Sequence, residues 1–501
     1  MLRVLHLLIV TLIILSSCGN TSASKPEEAS AAEEIAESAK AQLTTWTDEP
    51  EEDLTGDYNI QVKINGFDKG SVRLIGIYGK QNYMADSTRA KGGEFTFSGE
   101  KKLNSGMYFI LFPGNNYFQL LIDEDQDFKV TADYNNFVQT MKVEGSLTNQ
   151  LFYQNLNYER IYRSKLDSIQ KKYNALGDND MNKNFLEKER DDLIDARNEH
   201  IWSFQEKYPG NFFTVFKTAG QNPDIKFPDG PDEKANEKKF TTQYRNAFWD
   251  NVDFADRRLL RTPVIHNKLD KYFDQLIDRV PDSLIKYADY LTRESMADKE
   301  MFKYVSNYIG VRYKESKVMG GEAVFVHMID NFWTPELAFW SNEDEIKGLK
   351  KEAAGMKPSL LGKKGQNITC FDPEGNEVSL YDLDKEILVL YIYSYECENC
   401  RKETPKVFKI HQEWKDKGVG FYALCMDHKA DKWANYIEKN KLTWTNAWDP
   451  DYRSGYHVKY HVDITPELYV LDGERIIRGK NLKADQLPMI FDRIRKESKN
   501  N

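Results

Sequence analysis

The chain has 501 residues, 40% of them hydrophobic and 30% charged, and a formal net charge of −10. That length leaves room for about three domains, and the acidic balance argues against a nucleic-acid-binding protein. Five cysteines are too few for a scaffold built on disulfides.

Residues 1–18 read as a targeting segment. Arg3 and the terminal amine supply positive charge, and Val4 to Leu15 is an apolar run, shorter than the ~20 residues a bilayer-spanning helix needs. The segment ends Leu15-Ser16-Ser17-Cys18, which resembles the lipobox of bacterial lipoproteins. That resemblance implies cleavage before Cys18, a lipid anchor on this cysteine, and a place in the cell envelope, on the periplasm-facing outer membrane rather than in the cytoplasm. No other stretch is apolar enough to span a membrane. Residues 19–54 are rich in Ala, Glu, Ser and Thr and cannot bury a core, so they read as an acidic flexible tether, with helical character around Glu33 to Leu43.

From 55 to 146 the hydrophobic pattern alternates. Tyr58, Ile60, Val62 and Ile64 share one face, as do Tyr108, Ile110 and Phe112, and then Phe128, Val130 and Ala132. Turn residues punctuate the runs at Asn65-Gly66, Lys91-Gly92-Gly93, Pro113 to Asn116 and Asp123 to Asp125. Short strands so spaced predict an antiparallel β-sandwich. Tyr83, Tyr117 and Phe118 are expected to be exposed aromatics of half-buried sheet.

From 147 to 356 the period becomes helical and predicts an all-α domain. Leu269, Tyr272, Phe273, Leu276, Ile277 and Val280 form one stripe, which Pro281 stops. Similar stripes run through Phe152 to Ile169, Leu186 to Phe204 and Met301 to Tyr313, and Asn222 to Pro231 reads as a loop. No phosphate loop, metal motif or nucleophile elbow occurs here.

The last region, 357–501, holds the chemistry. Asn367 to Phe371 and Glu377 to Leu380 predict a hairpin, Val419 to Met426 a core strand, and Gln486 to Ile494 a closing helix. Ile387 to Tyr393 reads as a buried strand, and Val407, Phe408, Ile410 and Trp414 as one face of a helix. Between them stands Ser394-Tyr395-Glu396-Cys397-Glu398-Asn399-Cys400-Arg401-Lys402-Glu403-Thr404-Pro405. Cys397 therefore falls at a helix N-terminus, where unpaired amides and the helix dipole favour a thiolate. Cys400 sits one turn inward, close enough to close a small disulfide ring. Cys370 and Cys425 stand alone in strands and read as packing residues.

About 60 residues on the chain reads Ile464-Thr465-Pro466-Glu467-Leu468-Tyr469-Val470-Leu471-Asp472-Gly473. A Cys-x-x-Cys after an apolar strand, followed by Thr-Pro before a strand ending Asp-Gly, resembles the thioredoxin fold. Cys-Glu-Asn-Cys-Arg-Lys-Glu is closer still to the membrane-tethered reductases of the TlpA/ResA group. The resemblance implies an α/β thioredoxin-like domain that is a thiol–disulfide oxidoreductase. It implies Cys397 and Cys400 as a redox-active disulfide, a cis Pro466 against them, and Thr465 and Ile464 as the dock for substrate. Its partners would be disulfide-containing envelope proteins, with a membrane electron relay as reductant, and no cofactor or metal is implied beyond the cysteine pair. Tyr391 stands where ordinary thioredoxins bury an aspartate, so Glu403, three residues after Cys400 and on the same helix face, is expected to take the Cys400 proton; the alternative is a surface carboxylate paired with Lys406. The order of the three domains resembles envelope lipoproteins whose first two parts have no assigned chemistry.

Three other chemistries share some of these letters. Cys397 and Cys400 with His457 and His461 spell a Cys2His2 zinc site, although the gap far exceeds the roughly 12–15 residues of a finger. Ser394 occupies the serine position of thioredoxin-fold peroxidases, without their proline. A non-enzymatic lipoprotein that binds glycans or partner proteins would leave Cys397 inert.

Overall fold

The computed structural model describes residues 54–177 and 180–500. The targeting segment, Cys18 and nearly all of the expected tether lie outside them. The described residues form two compact units, one running to Leu276 with Arg293–Phe302, the other made of Ile277–Thr292 and the chain from Lys303. Among the described residues no helix is long and apolar enough to cross a membrane.

The first unit begins with β1 (Tyr58–Asn65), β2 (Lys69–Tyr78), β3 (Gln81–Lys91), β4 (Glu94–Gly99), β5 (Gly106–Leu111), β6 (Tyr117–Ile122), β7 (Asp127–Asp133) and β8 (Lys142–Glu144). The β-rich region is present as read, joined into one eight-stranded sheet in the order β6-β5-β2-β3-β4-β1-β7-β8. Every neighbouring pair is antiparallel except β1 and β7, which run parallel. What packs on its apolar face is helical. Leu151, Phe152 and Tyr153 of α1 (Leu147–Asn174), Phe204 of α2 (Asn182–Lys207) and Phe212 and Phe213 of α3 (Phe212–Ala219) share one cluster with Ile60, Leu74, Ile110 and Val130. Asn149, fully buried, ties α1 to β6: its side chain accepts the Leu121 N–H at 2.9 Å and donates to the Leu121 carbonyl at 2.7 Å. The β3–β4 turn requires glycine at 93, where φ is +76° and an added Cβ would stand 2.4 Å from the Ile64 oxygen.

Two expectations fail here. Phe118 is buried, 4% exposed, because it faces inward from β6 against Phe112 and Phe137; Tyr83 and Tyr117 are the exposed pair. The stripe from Leu269 does not run on to Val280. After α4 (Glu233–Asn246), helix α5 (Val264–Lys271) widens into a π-turn at Tyr272–Leu276 and ends, and Val280 is half exposed. Pro281, which has no N–H to donate, opens the next helix rather than closing this one.

The second unit contains most of α6 (Pro281–Glu294) and of α7 (Lys299–Lys314), and α8 (Glu322–Phe332) and α9 (Glu343–Met356), the last opened by an Asn342/Glu345 capping box. Then follow β9 (Thr369–Phe371), β10 (Glu377–Ser379), β11 (Ile387–Tyr393), α10 (Glu398–Trp414), β12 (Val419–Cys425), α11 (Ala430–Asn440), β13 (Thr445–Trp448), β14 (Glu467–Leu471), β15 (Ile477–Lys480) and α12 (Leu487–Asn500). The seven strands lie in the order β10-β9-β13-β12-β11-β14-β15, with β11, β12 and β13 parallel and β14 antiparallel to β11. Both faces of β11 are covered, which is why its sequence is continuously apolar rather than alternating. Val389 and Tyr391 face α10, α11 and α12, while Leu388 and Leu390 face Ile368, Tyr456 and Tyr460.

Candidate active site

Parallel strands β11 and β12 pair in register up to Tyr393 and Cys425, so the segments leaving them emerge side by side at the carboxyl edge of the sheet. Open parallel sheets carry their sites at this edge. Cys397 is the N-cap of α10, and its sulfur accepts the Cys400 N–H at 3.3 Å. Its thiol in turn points to the Thr465 carbonyl at 3.5 Å. The Thr465–Pro466 peptide is cis, and Ile464, just before it, is 75% exposed.

The two cysteines are unbridged and unequal. Cys397 is half-buried and Cys400 fully buried. Burial pushes the Cys397 thiol up, but hydrogen bonds from the Cys400 thiol and amide, the Thr465 side chain and the Asn399 amide outweigh it and hold the thiol below its ordinary range. Burial, then the sulfur of Cys397, push Cys400 up to about 12. Arg401 braces the approach by donating to the Glu396 and Tyr395 carbonyls at 3.1 and 3.4 Å. Glu398 and Lys402 pair with each other on the exposed face of α10 at 2.6 Å.

Beneath Cys400 lies a pair of hydroxyls. Tyr391 and Thr404 hydrogen-bond at 2.8 Å, and Thr404 donates to the Cys400 carbonyl at 2.8 Å. Glu403 has both oxygens engaged: Oε1 accepts the Ala484 N–H at 2.8 Å and Oε2 pairs with Lys406 at 3.0 Å. Among the described residues no hydrogen bond joins it to Cys400.

Cys370 and Cys425 are buried in β9 and β12, and burial pushes both thiols up. The histidines of the zinc alternative are engaged elsewhere. His457 lies against Tyr452 and Tyr456, and His461 pairs with Asp463 at 3.2 Å. Among the described residues no group of three or more His, Cys, Asp or Glu is placed to hold a metal ion.

Sequence reasoning missed Asp427, whose carboxylate accepts the Ser394 hydroxyl at 2.7 Å and the Tyr395 N–H at 2.6 Å. The available signal was its place two residues past the end of β12, beside the segment leaving β11.

A family model described as the AhpC/TSA family matches residues 361–480. Two models of domains of unknown function, DUF4369 and DUF5106, match residues 58–152 and 217–346. The thiol-disulfide oxidoreductase ResA of Bacillus cereus is 29% identical over 96 residues, covering 19% of this chain and 56% of that protein. ResA of Bacillus thuringiensis subsp. konkukian is 27% identical over 139 residues, covering 27% of this chain and 78% of that protein. The chain thus spans little more than half of the first relative. A solved thiol:disulfide interchange protein from Bacteroides sp. is 30% identical, with 26% of this chain and 86% of that one covered and a TM-score of 0.25. The C-terminal part of this multi-domain chain is a thioredoxin-like domain of the AhpC/TSA family, related to the thiol–disulfide oxidoreductase ResA.

Proposed function

We propose that the chain is a thiol–disulfide oxidoreductase that reduces disulfides in proteins of the cell envelope. The observation that carries this reading is the inequality of the two thiols at the start of α10. Cys397 is reachable and held toward its thiolate, whereas Cys400 is buried and held toward its thiol. Cys397 attacks one sulfur of a partner disulfide, forming a mixed disulfide and releasing the partner's other sulfur as a thiolate. Cys400, once deprotonated, attacks the Cys397 sulfur, closing the Cys397–Cys400 disulfide and freeing the partner's second thiolate. Two electrons pass to the partner, and a membrane electron relay returns them to the dithiol. No cofactor takes part. Thr465, Ile464 and Pro466 form the dock for the partner's extended chain; the closeness of the Thr465 carbonyl to Cys397 supports this.

We assign the Cys400 proton to Glu403, one turn beyond it. To accept it, the carboxylate exchanges its bond to Lys406 or to the Ala484 amide. Glu403→Gln keeps the shape and removes the base, so release from mixed disulfides should slow and its pH profile change. Unchanged turnover from about pH 6 to 9, a range centred near neutrality, would leave Glu403 as the Lys406 partner only.

The anchor reading rests on the sequence of residues 1–18, with Cys18 lipid-modified and the chain facing the periplasm. The peroxidase alternative needs the Ser394 hydroxyl free, yet its proton is committed to Asp427. Cys400→Ser tests the main proposal: it should accumulate mixed disulfides through Cys397 that Cys397→Ser does not form. Equal trapping by the two variants would sink it.

A further inference from the structure

The segment that delivers Cys397 to the helix is held from the neighbouring strand. Asp427 accepts the Ser394 O–H on Oδ1 at 2.7 Å and the Tyr395 N–H on Oδ2 at 2.6 Å. The same Ser394 oxygen accepts the Glu396 N–H at 3.1 Å and the Cys397 N–H at 3.2 Å. Asp427 is itself fixed, since Trp448 donates its indole N–H to the Asp427 carbonyl at 2.6 Å and Met426 N–H bonds the Tyr393 carbonyl at 3.1 Å. The Cys425 thiol also lies 3.7 Å from Oδ2. Three consecutive amides leading into the dithiol are therefore satisfied by one carboxylate and the hydroxyl it orients.

We propose that Asp427, acting through Ser394, is a positioning residue that holds Cys397 at the N-cap of α10 and so sets the reactivity of its sulfur. The inference rests on Cys397 being the attacking thiol. Charge-assisted bonds such as the two at Asp427 are strong and directional, and the thiolate is stabilised only while its sulfur stays in line with the first amides of the helix. Position and charge make opposite predictions at Asp427. A nearby anion by its charge alone disfavours a thiolate, so removing it would speed attack. As an anchor, its loss slows attack.

The test is the rate at which iodoacetamide alkylates Cys397 at neutral pH in the reduced full-length protein, read at the Cys397 peptide by mass spectrometry. Ser394→Ala leaves Glu396, Glu398, Arg401, Asp427, Lys432 and Asp463 in place, so any change there is not one of charge. It should slow alkylation about three- to tenfold, the range expected for losing hydrogen bonds that order a charged group. Ser394→Thr, which keeps the hydroxyl, should restore the rate. Asp427→Asn, with one acceptor oxygen where two are used, should also slow it. A rate at or above wild type in Ser394→Ala or in folded Asp427→Asn overturns the proposal; should Asp427→Asn not fold, the two Ser394 variants decide it. A wild-type Cys397 no faster than an unperturbed thiol would instead refute the oxidoreductase reading, whereas a fast wild type with unchanged variants would refute only the anchoring role.

Discussion

The two faces of the C-terminal sheet bury polar groups in opposite ways. On the face carrying the dithiol, the groups under Cys400 are neutral hydroxyls, Tyr391 and Thr404, each satisfied by the other or by a backbone carbonyl. On the opposite face, the residue next to Pro466 is an acid. Glu467 is buried, accepts the Tyr469 hydroxyl at 3.2 Å, and leaves its Oε2 without a partner among the described residues. Lys480, also buried, pairs with Glu322 at 2.9 Å and donates to Ser359 at 3.2 Å. Glu322 thus takes the ammonium as its ion-pair partner, and Glu467 feels it only through its charge. Burial pushes Glu467 up to about 8 against the pull of Lys480. The contrast teaches that the hydroxyls directly beneath Cys400 add no charge of their own to the dithiol. The ionic face couples the fold to pH without touching the sulfurs.

Breaking the ionic face should have the largest effect. Lys480→Met leaves the Glu322 carboxylate without its cation and should cost about 3–5 kcal/mol of stability, read by denaturant unfolding. Cys397 alkylation in the folded fraction should be unaffected. A loss below about 1 kcal/mol, the worth of an exposed pair, would show the cluster to be solvated.

Glu467→Gln sharpens the comparison through pH. The folded-state value of Glu467 lies above its ordinary value of 4.5, so the native chain binds more protons than the unfolded one. Its contribution is therefore fully present below 4.5 and lost as pH rises through about 8. The stability of the Gln variant relative to wild type should grow with pH across that window, by at most about 1.4 kcal/mol per pH unit, and level off above it. A difference that does not vary with pH would show that Glu467 titrates alike in both states. The smallest effect belongs to the neutral face. Tyr391→Phe removes one buried hydrogen bond while Thr404 keeps its bond to the Cys400 carbonyl, so a loss of about 1 kcal/mol without a pH slope is expected. A pH-dependent loss would mean that the phenol shares in the proton chemistry of Cys400.

Much of this molecule was legible in the chain, because the signals are local. The alternation in β1 and β5, the continuous apolar run of β11 and the stripe of α10 are set by strand and helix periods acting over a few residues. The junction that puts Cys397 at a helix start follows from the same neighbourhood. Where local rules fell short, a non-local partner had decided the outcome. Phe118 reads as exposed until Phe112 and Phe137 close over it. The stripe at Leu269 reads as one helix until the chain turns at Tyr272–Leu276. That α1 and α3 return to pack on the N-terminal sheet is likewise decided by distant contacts.

The sequence by itself determined the strands and helices whose periods are strongest, and that a dithiol stands where a strand hands over to a helix. Tertiary structure alone decided what surrounds that dithiol. Asp427 reaches Tyr395 across 32 residues of chain only because β11 and β12 pair in register, and Lys480 meets Glu322 only because β15 and α8 come together in one compact unit. Composition and periodicity carry information over one or two turns or strand repeats. A hydrogen bond between distant segments depends on register and packing, which exist only once the chain has closed.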